Sequence, residues 1–166
     1  MSTIISIPIF IGLVILQTSI INQMPLLQGT PDISMLVLIA WSLLSKDNSA
    51  WFWGLFSAIL IGFVSTLPLL VYLISYLSIV EITLITKRQV WQKPYFTMII
   101  ITFVGTILTH FLSYLMINLT HSTLPLMDTI NLITLPSLLL NLLLSIPIYA
   151  LIQDVSETIF PTELES

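Results

Sequence analysis

This chain of 166 residues has no cysteine, only four Lys and Arg together, and five glycines. Without cysteine there are no disulfides, no thiol nucleophile and no thiolate metal site. Four basic residues leave no electrostatic footprint for a nucleic acid. Neither G-x-x-x-x-G-K-[ST] nor G-x-G-x-x-G occurs in the sequence, which excludes phosphate cradling of those kinds. Charged residues amount to 7%, against roughly 25% in a soluble domain. That is too little charge to cover a water-facing surface.

What is present is apolar. Hydrophobic residues make up 57% and the mean hydropathy is +1.07. A bilayer core of roughly 30 Å takes about 20 helical residues to cross. Six apolar stretches are read as helices over residues 4–24, 32–44, 50–64, 67–86, 95–119 and 130–153. The expected fold class is an all-α integral membrane protein, a six-transmembrane-helix bundle. It forms one domain over residues 1–153, followed by a short acidic tail, 154–166, with Asp154, Glu157, Glu163 and Glu165. The first stretch lacks a basic n-region and a small-x-small cleavage site, so it is read as a membrane helix and not as a signal peptide. Helices two and three are short and are expected to extend into their loops or to cross only in part.

Helix breakers support the partition. Pro25, Gly29 and Pro31 separate helices one and two, with Asp32 placed to cap the second. Ser65-Thr66-Leu67-Pro68 forms a tight turn with Pro68 in the first turn of helix four. Pro136 and Pro147 fall inside helix six, where each removes a backbone donor and bends the helix. With the N-terminus inside, the loops after helices two and four also face inside. Those loops hold Lys46, Lys87, Arg88 and Lys93, which are all the basic residues of the chain. By the positive-inside rule both termini are expected in the cytoplasm. Trp41, Trp51, Trp53 and Trp91 fall near the same face, where indoles favour the headgroup layer.

Chemistry-bearing residues are few. Ala50, Gly54, Ala58 and Gly62 recur every fourth residue on helix three and form one groove, a surface on which membrane helices associate. They are candidates for helix packing or for a partner interface. Thr102, Gly105, Thr106, Thr109 and Ser113 make a second small or polar stripe on helix five, with Gly105, Thr109 and Ser113 as secondary packing candidates. Ionisable groups within the membrane are functional candidates by default, and two qualify. Glu81 is expected to pair with Lys87 or Arg88 near the interface, and His110 to serve as a hydrogen-bonded packing residue. His121 and Asp128 share a loop, but no nucleophile elbow accompanies them. No three metal ligands cluster in the sequence and no internal repeat is visible. No cofactor, catalytic or metal site is therefore expected.

The chain as a whole resembles the MreD family, the small membrane subunits of the bacterial rod-shape system (the elongasome). The resemblance runs from Leu16-Gln17-Thr18-Ser19 through Gly29-Thr30-Pro31-Asp32 and the apolar run after it, to Trp41-Ser42-Leu43-Leu44 and Gln89-Val90-Trp91-Gln92. It covers roughly residues 10–150. The family's third helix commonly reads G-x-x-x-G-x-x-x-D followed by a P-x-G-like turn. Here Gly54, Ala58 and Gly62 stand in that register, then Pro68 with Leu70, so the acidic residue is missing and the small groove is kept.

The resemblance implies a non-enzymatic scaffold in the bacterial cytoplasmic (inner) membrane. It would bind the single-span protein MreC and support the RodA glycosyltransferase with its class B penicillin-binding partner in peptidoglycan synthesis and cell shape. It also implies a bundle similar to the substrate-binding S components of energy-coupling-factor vitamin transporters. An S component is thus the rival reading, and a tightly retained small molecule would favour it. It needs an outward pocket with several polar contacts, for which the outer half offers only Gln23, Gln28, Asp32, His110, Asn118 and a few hydroxyls. A third reading is an accessory subunit of another membrane complex.

Overall fold

The computed structural model describes residue 12 and residues 28–45, 49–89, 93–120 and 125–159. Apart from Gly12, the helix expected over 4–24 lies outside them, as do Lys46, Trp91, His121, Glu163 and Glu165. Among the described residues the regular structure is helical, with no strand. Helix α1 is Ile33–Leu44, α2 Ser49–Val64, α3 Leu69–Gln89 and α4 Pro94–Thr120. A single turn, α5 (Leu126–Thr129), passes through a π-helical segment, Ile130–Thr134, into α6, Leu135–Ile159. Among the described residues three helices are long and apolar enough to cross a membrane: α3, α4 and the run Leu126–Glu157. At 1.5 Å per residue, α1 and α2 reach only about 18 and 24 Å, short of the roughly 30 Å core.

Local chemistry sets these boundaries. Asp32 caps α1, its carboxylate accepting the Met35 N–H at 2.9 Å. The Ser65 hydroxyl accepts from Leu67 N at 3.2 Å and so shapes the turn after α2. Pro68 ends that turn one residue ahead of α3, its carbonyl accepting the Val71 N–H at 3.0 Å. Pro94 opens α4, where a missing donor costs nothing.

The centre of the bundle is α1. Every residue from Ile33 to Ser42 is buried, because α2, α3, α4 and α6 all pack around it. A helix covered on all sides needs no polar face, which is why its sequence shows no stripe. Its two ends are marked by opposite charges. Asp32 stands at the N-terminus, and at the C-terminal end Lys87 Nζ donates to the carbonyls of Ser42 (3.1 Å) and Ser45. Both placements match the helix dipole.

Outward faces are strongly apolar. On α4, Phe96, Ile100, Phe103, Ile107, Phe111 and Leu115 are exposed, and on α6 so are Leu135, Leu139, Leu143 and Ile146. Such continuous stripes on two long helices are surfaces for hydrocarbon, where backbone groups must be satisfied within each helix.

Trp41 and Trp53 are buried inside the bundle: they are 7% and 1% exposed and meet edge to face, with ring centroids 6.2 Å apart. Trp51 is the exposed indole of α2. Glu81 makes no pair with Lys87 or Arg88. It lies on the exposed side of α3, whereas Lys87 turns inward to the end of α1. Helix α6 also continues to Ile159, so Asp154 and Glu157 belong to it, and Glu157 accepts from Gln153 Nε2 at 3.0 Å.

Candidate functional site

Polar groups inside this bundle form one connected thread. The Tyr76 hydroxyl, on fully buried α3 surface, donates to both oxygens of Asp32 at 2.8 Å. Asp32 N–H donates to Asn141 Oδ1 of α6 at 2.8 Å, and Asn141 Nδ2 donates to Thr106 Oγ1 of α4 at 3.0 Å. Thr106 in turn donates to the Thr102 carbonyl at 2.8 Å. Thr30 N–H adds a bond to Ser137 Oγ at 3.1 Å. Buried polar groups are tolerable when all are bonded, and here the bonds tie α1, α3, α4 and α6 at one level.

The π-helical segment has a definite cause. Pro136 has no N–H, so the Leu132 carbonyl four residues earlier has no helical donor. The ladder widens at this point, with Leu135 N–H reaching the Ile130 carbonyl. Leu132 O accepts instead from Gln28 N–H at 3.2 Å. The chain before α1 thus lies directly on the helix wall, and Gly29 makes that possible. A Cβ at this position would sit 2.6 Å from Ser137 N and 2.7 Å from Pro136 Cβ.

Above the thread, at the end where α1 begins, a cavity of about 310 Å³ opens. The segment Thr30–Asp32 forms one wall. Ile61, Val64 and Ser65 at the end of α2, with Tyr72 of α3, form another. One face of α4 closes it, with Thr109, His110, Ser113, Tyr114 and Ile117 spaced by three and four residues. Tyr72 exchanges a 2.8 Å hydrogen bond with Ser65 and meets Tyr76 edge to face. Thr109 is 8% exposed and its Oγ1 has no hydrogen-bond partner among the described residues. His110 lines the cavity and makes no hydrogen bond to the described residues. Of the residues named for an outward pocket, Asp32 and His110 line it and Gln23 lies outside the described residues.

The stripe on α2 is filled by α3. Ala50 and Ala58 are 0% exposed, a Cβ on Gly54 would come 2.8 Å from Val80 Cγ2, and one on Gly62 would collide with Leu69. The α4 stripe also faces inward: a Cβ on Gly105 would meet Ile79 of α3 and Met35 of α1 at 3.2 and 3.4 Å. Ser113 Oγ donates to the Thr109 carbonyl at 2.8 Å. Sequence reading missed Tyr76 and Asn141. The lone Asn within Leu138–Leu144 was a legible signal, since a polar amide in an apolar run needs a partner, but its partners lie far away in sequence.

Comparison with protein-family models, with curated proteins and with solved structures gives no match to this chain.

Proposed function

We propose that this protein is a non-enzymatic scaffold subunit of the bacterial elongasome, embedded in the cytoplasmic membrane as a six-span bundle with both termini inside. It binds an MreC-like single-span membrane protein and supports RodA with its class B penicillin-binding partner. The observation that carries the reading is the position of Gly29-Thr30-Pro31-Asp32, the most family-like stretch of the sequence. This short stretch is the lock of the bundle: it seats on Pro136 and Ser137, caps α1 and bonds to α3 and α6.

The docking face follows from what is already occupied. Because α3 fills the Ala50–Gly62 groove, a partner helix meets the opposite side of α2, where Phe52, Leu55 and Phe63 are exposed along one face. Helix α2 packs chiefly on α1 and α3, so it stands at an edge of the described bundle. The test is affinity purification in mild detergent from native membranes, with mass spectrometry of proteins and small molecules. The expected result is an MreC-like protein, with or without RodA and its partner. Recovery of a stoichiometric vitamin or of paired ATPases would replace this reading with that of a transporter S component, a reading favoured by the cavity at the start of α1.

A further inference from the structure

We propose that the cavity at the start of α1 binds an uncharged ligand bearing hydroxyl groups, a sugar or a glycerol-type headgroup, held by Thr109 and His110 of α4. The inference rests on the cavity and its lining, and stands whichever partner the bundle serves.

The volume, about 310 Å³, lies at the lower end of the range for small-molecule sites, about 300–1,000 Å³. Its wall on α4 descends from Ile117 to Thr109, between about 5 and 16 Å from the end of that helix at 1.5 Å per residue. The site therefore reaches from the bundle end into the interior and suits one small ring or headgroup.

Charge sets aside the ionic classes. No Lys or Arg stands among the described residues that line the cavity. An anion entering it would lose its water with nothing to replace it. The one acid of the lining, Asp32, is already engaged within the protein. Its carboxylate accepts from the Tyr76 hydroxyl and the Met35 N–H, and the residue holds a further interaction besides. A cation would compete for oxygens that tie the helices together. An uncharged ligand meets neither cost.

The hydrogen-bonding groups then select the type. Thr109 Oγ1 is buried with no partner among the described residues, and leaving such a group unmet is costly. His110, beside it on α4, lines the cavity and makes no hydrogen bond to those residues. A hydroxyl donates and accepts, and a neutral imidazole has one nitrogen of each kind. Their complement is a group with the same double capacity. A ligand hydroxyl has it at a single atom, whereas an ammonium only donates and a carboxylate only accepts. Two further hydroxyls of the lining have their protons placed: Ser113 Oγ donates to the Thr109 carbonyl and Thr129 Oγ1 to the Pro125 carbonyl. Their lone pairs are left to accept from a second ligand hydroxyl. Tyr72 and Tyr114 line the same space and add aromatic surface for the apolar C–H face of a sugar. A free sugar or polyol and a lipid headgroup share this chemistry, and the measurement separates them.

The full chain is purified in a detergent without a sugar headgroup and in buffer free of polyols, since maltosides and glycerol would compete. Labelled methyl glucoside and labelled glycerol are offered by equilibrium dialysis, with ethanolamine and acetate as charged competitors. In parallel, glucosyl diacylglycerol and phosphatidylethanolamine of the same acyl chains are compared by native mass spectrometry. Binding of either free probe that resists both competitors supports the site with a free source. Preferential retention of the glucosyl lipid supports it with a lipid source. Thr109→Val and His110→Leu lie outside the thread that joins the helices, and each should weaken the binding seen by roughly tenfold. Thr109→Val removes a hydroxyl with no bond to lose among the described residues. It should leave thermal unfolding of the ligand-free protein unchanged or raise its midpoint, which separates a lost ligand contact from a damaged fold. If the midpoint falls, His110→Leu decides. Equal retention of both lipids without binding of a free probe, displacement by ethanolamine or acetate, or binding undiminished in both variants overturns the proposal.

Discussion

The hydroxyl of Tyr76 lies 2.8 Å from each carboxylate oxygen of Asp32, joining the first turn of α1 to the middle of α3. A carboxylate in a membrane bundle persists only where donors surround it. Tyr76 on one side and the Met35 N–H on the other supply them. The capping residue of one short helix therefore also anchors a long one.

Tyr76→Phe keeps the ring and removes the donor. It should lower stability by about 1.5–3 kcal/mol, the range for a lost bond to a charged group. Thermal unfolding in detergent measures this. Tyr72→Phe, which loses only a neutral bond to Ser65, should cost less, about 0.5–1.5 kcal/mol.

Gly29 and Gly105 separate two kinds of close approach. At Gly29 the added methyl meets backbone and a proline ring at 2.6 and 2.7 Å, neither of which can swing aside. Gly29→Ala should sharply reduce the yield of folded protein. At Gly105 the neighbours are the flexible ends of Ile79 and Met35, so Gly105→Ala should fold with a modest loss. Monodispersity on size exclusion compares the two.

Pro136→Ala restores the N–H that Leu132 O lacks. The helix should then close its own ladder and release Gln28, and the Gln28 amide should exchange with deuterium faster than in the unaltered chain. Unchanged protection at Gln28 would mean that its bond does not depend on the proline.

Lys87→Met retains the length of the side chain and removes the ammonium from the carbonyls of Ser42 and Ser45. The cost expected at a helix C-terminus is about 0.3–2 kcal/mol. Amide exchange should rise at Ser45, whose N–H bonds Trp41 O at 2.8 Å.

Much of the fold was legible because apolar length and breakers are local. Asp32 as a cap, Pro68 at a turn and the spans of α3, α4 and α6 followed from residues within a few positions of each other. The Ala50–Gly62 spacing also announced close packing. What was not legible depends on partners distant in sequence. Glu81 looked like the natural mate of Lys87, yet Lys87 meets open carbonyls more than forty positions away. Trp41 and Trp53 are buried in the core because α1 is surrounded. Pro136 signalled a bend, but the π-helical turn and its capture by Gln28 required the preceding loop to be in place. The candidate cavity was half visible: Asp32 and His110 were named, whereas Tyr72 and the place of Thr109 in the lining emerged only when α3 and α4 were brought together.

The scaffold reading is tested most directly by contact in the native membrane. A photo-crosslinking amino acid placed at Leu55 or Phe63 of α2 should capture an MreC-like single-span protein, while the same group at Phe111 of α4 should capture none. Absence of any protein adduct at Leu55 and Phe63, or equal capture at all three positions, would contradict docking on this face.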